Sequence, residues 1–344
     1  MKLSIGIITY NQSTYKYLNL FLFSLSEAIE KARISNPDLE IFFLAVDNSD
    51  SDFNSNHNYL IDYQKDKPGK IWRSDMNLGF SKPYNCMMNW SIEQGSNLFL
   101  MLNPDVLLDI DFIANLVQKY KADETIAILV PKIFYWDFSN NVKTTIIDSC
   151  GVGLNKAHRF FDIGQGQSGE NRFLLEEEVF GFSGAGALLN LNILKKVAYS
   201  FDNYYQFFDE RMFMYKEDVD LSYRLQLLGA KILFLPEAKM YHHRTLSSYR
   251  QKLINKVRQK KIISDYSALN QFIILFKSKN LSFSPKIKLL TAGRYIILWF
   301  FALIFSRKVF QEAMGLRAEI IKKSPYLAEN RGIIDKIEGF MDRY

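Results

Sequence analysis

Apolar runs and stretches of helical period take turns over roughly the first 130 residues of this chain. "LSIGIITY" predicts a buried strand. Asn11 and Ser13 then offer capping chemistry for a helix over about residues 14–33. "EIFFLAVDNSD" predicts a second buried strand ending in Asp47, and a short strand falls near "KIWRS". "SKPYNCMMNWSIEQG" reads as a helix with Pro83 in its first turn and Gly95 just past its end. "NLFLML" is the next strand, stopped by Pro104, with Asp105 directly after it. "DIDFIANLVQKYKAD" is an amphipathic helix with acids at its start, where the helix dipole favours them, and "IAILVPKIF" is another strand. This alternation predicts a mostly parallel sheet with helices on both faces. In such sheets ligands bind at the carboxyl ends of the strands. Thr9, Tyr10 and Asn11 lie at one such end, Asp47 and Asn48 at a second, and Asn103 and Asp105 at a third. Three polar clusters are thus expected to meet in one crevice.

After Phe134 the pattern loosens. Residues 151–173 are rich in glycine and polar side chains and read as a long loop. "EEEVFGFSGAGALLNLNILKKV" returns as a strand, a tight turn and a helix. In "MFMYKEDVDLSYRLQLLGAKILFLP", Leu221, Leu225 and Leu228 keep helical spacing, Gly229 closes the helix and a strand follows. From about Ser248 the chain reads as all helix. The expected division is therefore residues 1–248 and a helical extension, residues 249–344.

Charge sharpens that division. The net charge is +6, yet residues 250–294 alone carry +10, so residues 1–249 are acidic. A basic stretch is either a solvated helix face or a surface for anionic membrane lipid. No stretch reads as long enough to span a bilayer; the nearest, "YIILWFFALIF", is about half a span. It is either a buried core helix or an interfacial anchor. The apolar start is too short for a signal peptide, and Cys86 and Cys150 show no paired spacing, which fits a reducing cytosol. The 28 Phe and 19 Tyr supply ample core and exclude a disordered chain. No nucleic-acid partner is expected.

Several residues carry candidate chemistry. Asp105 either ligates a divalent cation shared with phosphates or belongs to an ordinary Asn-Pro-Asp turn. Asp47 either caps its own turn or accepts a hydrogen bond from a base or ribose. Glu217, Asp218 and Asp220 crowd the first turn of one helix. Their repulsion raises the pKa of at least one, which suits a general base. Arg224, four residues beyond Asp220, is placed to pair with it, leaving Asp218 to face the crevice. Glu217 points about a hundred degrees away around the helix. His242 and His243 follow an edge strand, and at most one of them easily faces the crevice.

Taken in order, "SIGIITYN", "VDNSD", "NLGFSKPYN", "MLNPDV", "FSGAGALLN", "EDVDLSYRLQLLGAKI" and "HHRTLS" resemble an inverting glycosyltransferase of family 2. They cover roughly residues 3–248. The resemblance implies the α/β GT-A nucleotide-diphospho-sugar transferase fold, a Rossmann-like mixed sheet with helices on both faces, plus a C-terminal helical extension. It implies that Thr9, Tyr10, Asn11 and Asp47 bind the nucleoside side of a donor, and that Asn77, Gly79 and Asn103 line its pocket. Gly184 and Ala185 would lie under the sugar. Asp105, helped by His242, would hold Mg²⁺ or Mn²⁺; the spacing of His242 to Ser247 fits the family better than that of His243. Asp218 would be the base, with Glu217, Asp220 and Arg224 around it. Many relatives carry an acid where this chain has Asn103, so metal affinity without donor is expected to be weak.

The Asn-Pro-Asp form resembles a branch with many bacterial rhamnosyltransferases. It implies dTDP-L-rhamnose as donor, with UDP-hexose or UDP-galactofuranose as alternatives. The tail suggests a polyprenyl-diphosphate-linked glycan acceptor at the inner leaflet of the plasma membrane, hence a cytoplasmic, peripheral enzyme of cell-surface polysaccharide (O-antigen or capsule) synthesis. A homodimer through the C-terminal helices is the rival use of that tail. A non-catalytic subunit of a polysaccharide assembly complex is a second class. A nucleotidyltransferase is disfavoured, because "ITYNQST" is neither glycine-rich nor basic.

Overall fold

The computed structural model describes residues 1–244, 253–328 and 330–343. In chain order the first elements are β1 (Lys2–Thr9), α1 (Asn11–Ser35), β2 (Glu40–Asp47), α2 (Ser55–Gln64), β3 (Gly69–Arg73) and α3 (Ser81–Glu93). Next come β4 (Leu98–Leu102), β5 (Val106–Leu108), α4 (Phe112–Ala122), β6 (Ile126–Asp137) and β7 (Val142–Ser149). There follow β8 (Val152–Leu154), β9 (Phe160–Asp162), β10 (Glu177–Glu178), β11 (Gly186–Asn190), α5 (Leu191–Leu194), β12 (Tyr199–Phe201) and β13 (Tyr204–Gln206). Then come α6 (Glu217–Leu227) and β14 (Lys231–His242), and four helices close the chain: α7 (Leu253–Lys277), α8 (Pro285–Phe305), α9 (Arg307–Lys323) and α10 (Arg331–Asp342).

One large sheet runs β10-β14-β6-β11-β4-β1-β2-β3, with β5 attached to β14 and β7 to β6. The strands β4, β1, β2 and β3 are parallel. β11 is antiparallel to both β4 and β6, so the sheet is mixed rather than mostly parallel. The chain reaches β11 through the strands β7 to β10 and not through a crossover helix, so nothing forces it parallel. β4 is central and fully buried, and its side chains alternate between two cores. Leu98, Leu100 and Leu102 face α1 and α4, while Phe99 and Met101 face the side that holds α3 and α6.

Three local expectations need correction. Helix α1 starts at Asn11, at φ +45°, with Tyr10 as its cap and no side-chain cap bond. Asn11 and Ser13 do not cap it, because Asn11 is taken up by Asp50 and Ser13 donates to the Tyr10 carbonyl oxygen. The presumed long loop after residue 150 contains the β8–β9 hairpin, whose strands of three residues are too short to leave a periodic signature. Finally, α8 is long and apolar enough to cross a membrane: residues Pro285–Ile304 have a mean hydropathy of 1.7, and 11% of that window is buried. Counting unbroken apolar residues stopped at Arg294 and missed the apolar half that Lys286 and Lys288 interrupt.

The C-terminal helices share a third core with the sheet domain. Val219, Tyr223 and Leu227 of α6 pack with Phe272 and Ile273 of α7, Ala313 of α9 and Ile337 of α10.

Candidate active site

The site begins where the apolar β4 gives out. Pro104 and Asp105 turn the chain, and β5 pairs antiparallel with the end of β14, Val106 opposite His242. The His243 backbone N–H also donates to the Asp105 carbonyl oxygen at 2.9 Å. This ladder brings His242 Nε2 to 3.4 Å from Asp105 Oδ1. Alternation along β14 sends His243 the other way, among Tyr17, Trp136 and Phe138, where its ring bonds the Trp136 carbonyl. Ser247, part of the expected histidine-to-serine spacing, lies outside the described residues.

Behind His242, the fully buried Asp148 takes Nδ1 at 2.8 Å. Asp148 occupies an irregularity in β7: Ser149 faces Ile133 and Ile147 faces Phe134, so the residue between them has no opposite number. Such a bulge re-aims a side chain. Arg244 continues the chain of charges, 3.3 Å from Asp148 Oδ1 and 2.7 Å from Asp162 Oδ2. Burial disfavours a charged His242 ring, but Asp105 and Asp148 outweigh it and raise its pKa to about 10.

The acidic turn of α6 forms the second half of the site. Tyr215 and Lys216 precede it with φ of +71° and +65°, a conformation that needs outside support in non-glycine residues. Asn270 of α7 provides it, donating to the carbonyls of Met214 and Tyr215 at 2.9 and 2.6 Å. Asp220 turns inward to Arg224 at 3.0 Å. Asp218 turns to the glycine turn before β11: its Oδ2 accepts from Gly184 N and its Oδ1 from Val219 N, both at 2.8 Å. Burial raises its pKa to about 6 despite those two bonds. Glu217 is buried, and its Oε2 has no hydrogen-bond partner. Burial first, and the charge of Asp218 next, push its pKa well above the usual carboxylate range.

Two hydrogen bonds join the halves. Gly184 N donates to Asp218, and the next residue, Ala185, accepts from Asn103 N through its carbonyl at 2.9 Å. Asn103 is two residues from Asp105, so Asp105 and Asp218 border one strip of backbone. At Gly184 a Cβ would lie 3.3 Å from the Phe80 ring and 3.4 Å from Asp218 Oδ2, so a larger side chain would fill this strip.

The third cluster sits at the ends of β1 and β2. Asp47 Oδ1 accepts from the hydroxyls of Thr9 (2.9 Å) and Ser49 (2.6 Å). Its Oδ2 makes no hydrogen bond and lies 3.6 Å from Arg73. Thr9 is fully buried and gives its hydroxyl proton to Asp47, so it holds that carboxylate in place. Asn48 donates to the Gly79 carbonyl, and Asn77 accepts from Gly79 N, both at 2.9 Å. Gly79 has φ +75°, and a Cβ there would sit 2.3 Å from the Phe213 carbonyl oxygen, so the position admits only glycine. Phe80 N and Ser81 Oγ donate to the Phe213 and Met212 carbonyls at 2.8 and 2.6 Å. These bonds tie the Gly79 turn to the segment that leads into α6.

The structure thus gathers Tyr10, Asn11, Asp47, Asn77, Gly79, Asn103, Asp105, Gly184, Ala185, Asp218 and His242 at the carboxyl-end edge of the sheet or on turns tied to it. Sequence reasoning missed Asp148, Asp162 and Arg244. The first was signalled by one acid inside the apolar "TTIIDSCGV", and the last by its place directly after the histidines. It also missed Lys277. This fully buried lysine of α7 lies 2.7 Å from Asp209 and 2.5 Å from Asp220. Nothing in the local sequence distinguishes it from its solvated neighbours.

With this geometry in view, comparison with known proteins is decisive for the family. The sequence model of glycosyl transferase family group 2 matches residues 98–310, more than half of the chain. The chain belongs to glycosyl transferase family group 2. No curated protein matches it. Among solved structures, GalNAc-T7 with UDP, GalNAc and Mn²⁺ is similar at 13% identity and a TM-score of 0.53, over 90% of this chain. This chain spans 58% of the length of that one. A mannosyltransferase, PcManGT from Pyrobaculum calidifontis, in complex with GDP-Man and Mn²⁺, is similar at 12% identity and a TM-score of 0.48, over 99% of this chain and 80% of that one. Residues 1–349 of S. aureus TarS are similar at 15% identity and a TM-score of 0.46, over 98% and 92%. The first of these, with the mixed sheet and its flanking helices, makes this family group 2 chain a GT-A fold with C-terminal helices.

Proposed function

We propose that this family group 2 chain is an inverting, metal-dependent glycosyltransferase that moves L-rhamnose from dTDP-L-rhamnose to a polyprenyl-diphosphate-linked glycan. It would act in cell-surface polysaccharide synthesis at the cytoplasmic face of the plasma membrane. The observation that carries the reading is the backbone strip on which Asp105 and Asp218 converge. It ties the turn that carries Asp105 to the turn that bonds Asp218, which supports a diphosphate-side group and a base serving one donor.

The residues fit a divalent cation. Asp105 Oδ1 and His242 Nε2 are 3.4 Å apart, close to the ~3 Å between neighbouring ligands around an ion with ~2.1 Å bonds. Asp148 fixes the other ring nitrogen, the usual outer support of a metal-binding histidine. No group of three candidate ligands occurs among the described residues. Two protein donors leave the remaining positions to donor phosphates and water, which agrees with weak affinity without donor. When bound, Mg²⁺ or Mn²⁺ would offset the charge that gathers on the departing diphosphate.

Asp218 takes the proton of an acceptor hydroxyl. The freed oxygen bonds to the anomeric carbon from the face opposite the diphosphate, and the bond to the diphosphate oxygen breaks with its electron pair leaving on that group. One base and no covalent intermediate give inversion. Asp47, with Oδ2 free of hydrogen bonds, is the group we assign to the nucleoside, and Asn77 and Gly79 shape the donor pocket. GalNAc-T7, similar in fold, is solved with UDP, GalNAc and Mn²⁺, which supports a nucleotide-sugar donor and a divalent ion. The rhamnose assignment is supported by the Asn-Pro-Asp turn.

A thermal-shift screen tests this reading. With Mn²⁺ present, dTDP-L-rhamnose should raise the melting temperature, and UDP-hexoses and UDP-galactofuranose should not. The shift should vanish with chelator and in Asp105→Ala. Selective stabilisation by a UDP-sugar would replace the donor. No nucleotide sugar stabilising the chain would favour a non-catalytic subunit.

A further inference from the structure

We infer that the outer face of α8 is a docking surface for an anionic lipid bilayer, and that α8 lies flat in the headgroup region rather than crossing it. This inference names the surface behind the membrane setting proposed above, and rests on that setting.

The face is apolar and exposed to solvent. Leu289, Ile296, Ile297, Phe300, Phe301 and Ile304 fall on one helical stripe, and Leu289 and Ile297 are 74% and 70% exposed. A stripe of this size on a soluble surface marks an interaction site. The opposite stripe is fixed to the body along the helix. Ile287 near one end and Ala302 near the other are buried at 3% and 1%. Tyr295 packs against Phe272 and Phe276 of α7, and Trp299 against Phe310 of α9. In between, Thr291 Oγ1 lies 2.7 Å from His158 Nδ1, whose Nε2 is 3.1 Å from the Tyr223 hydroxyl of α6. A helix held at both ends and in the middle offers one face to lipid and keeps the other on protein. Its 21 residues span ~31 Å along the membrane plane.

Charge selects the occupant. Residues 266–311 contain seven Lys and Arg and no acid. Lys286 and Lys288 at the start of α8, and Arg307 and Lys308 just past its end, are exposed. A second copy docking through this face would set like charges against each other at both ends, which opposes a symmetric pair. Anionic headgroups neutralise the same bases, each worth ~1 kcal/mol near such a surface. The contact through His158 and Tyr223 ties the opposite, body-facing stripe of α8 to α6, the helix that carries Asp218.

Vesicle flotation of the full chain tests the surface. Wild type should float with phosphatidylcholine vesicles containing about 30% phosphatidylglycerol. It should bind about tenfold or more weakly to pure phosphatidylcholine, or at about 0.5 M salt. Ile297→Asp with Phe300→Asp should lose at least about tenfold in anionic-vesicle binding while melting with wild type and giving the same donor-induced thermal shift. Equal flotation of the double variant, or no flotation of wild type, overturns the inference. So does a wild-type dimer that the double variant converts to monomer without any vesicle binding. The donor shift on the same preparations separates the two readings: donor binding without flotation defeats the lipid surface alone, and flotation without donor binding defeats the transferase alone.

Discussion

Asp218→Asn is expected to fold, bind donor and lose nearly all transfer. A positioned base contributes roughly 10²–10⁴ in rate, so kcat should fall by about that factor, with the donor-induced thermal shift intact. The amide keeps one of the two bonds now accepted from Gly184 and Val219 and faces the other N–H with an NH₂ group, a loss of about 1 kcal/mol. Against that loss, burial makes the ionised carboxylate costly, as its pKa of about 6 shows, and the neutral amide removes this cost. The variant should therefore melt within a few degrees of wild type. The same raised pKa fixes the pH dependence of wild type. The base must be unprotonated, so kcat/KM should fall about tenfold per unit as pH drops below about 6 and level off above it. Turnover within a few-fold of wild type in Asp218→Asn would remove this residue from the chemistry.

Lys277→Met is expected to cost about 3–5 kcal/mol of stability, the usual result of removing one partner from a buried ion-pair cluster. Lys277, Asp209 and Asp220 are fully buried. Burial opposes all three charges, but mutual attraction prevails: the two carboxylates titrate below their ordinary range and the lysine above its own. Both carboxyl pKa values are lowered on folding. Their contribution is therefore present above the unfolded carboxylate pKa and lost as pH falls below it. Tyr326 also donates to the ionised Asp220 at 2.7 Å, and Tyr326→Phe should cost less, about 1.5–3 kcal/mol. Urea unfolding at neutral pH measures both. A loss below about 1 kcal/mol in Lys277→Met would mean that the cluster does not brace α6. Because α7 supplies Lys277, Asn270 and part of a shared core, deleting residues 249–344 would strip α6 of its support. Point variants on α8 are therefore the proper test of lipid binding.

The sequence disclosed what rests on local period and on strand ends. The buried runs that became β1, β2 and β4 were legible because each is a short, mostly apolar run, and the polar residues at or just after their ends, Thr9, Asp47 and Asn103, pointed to one edge of the sheet. The pairing of Asp220 with Arg224 was legible because it spans one helical turn. The direction of β11 was not, since antiparallel insertion depends on where the preceding excursion returns. Asp148 reaches His242 across 94 positions through a bulge that leaves no pattern in the chain. Lys277 looked like one more base in a basic segment, and its burial depends on acids 57 and 68 positions earlier. The outer face of α8 was half visible: its apolar end stood out, while three bases broke up the rest.

The central claim is that Asp105 and Asp218 serve one donor. A crystal structure with dTDP-L-rhamnose and Mn²⁺, using the anomalous signal of manganese and the inactive Asp218→Asn chain, tests it most directly. The account predicts manganese bound by Asp105 and His242, with the anomeric carbon between the diphosphate and residue 218. Manganese bound elsewhere, or a sugar out of reach of residue 218, would contradict it.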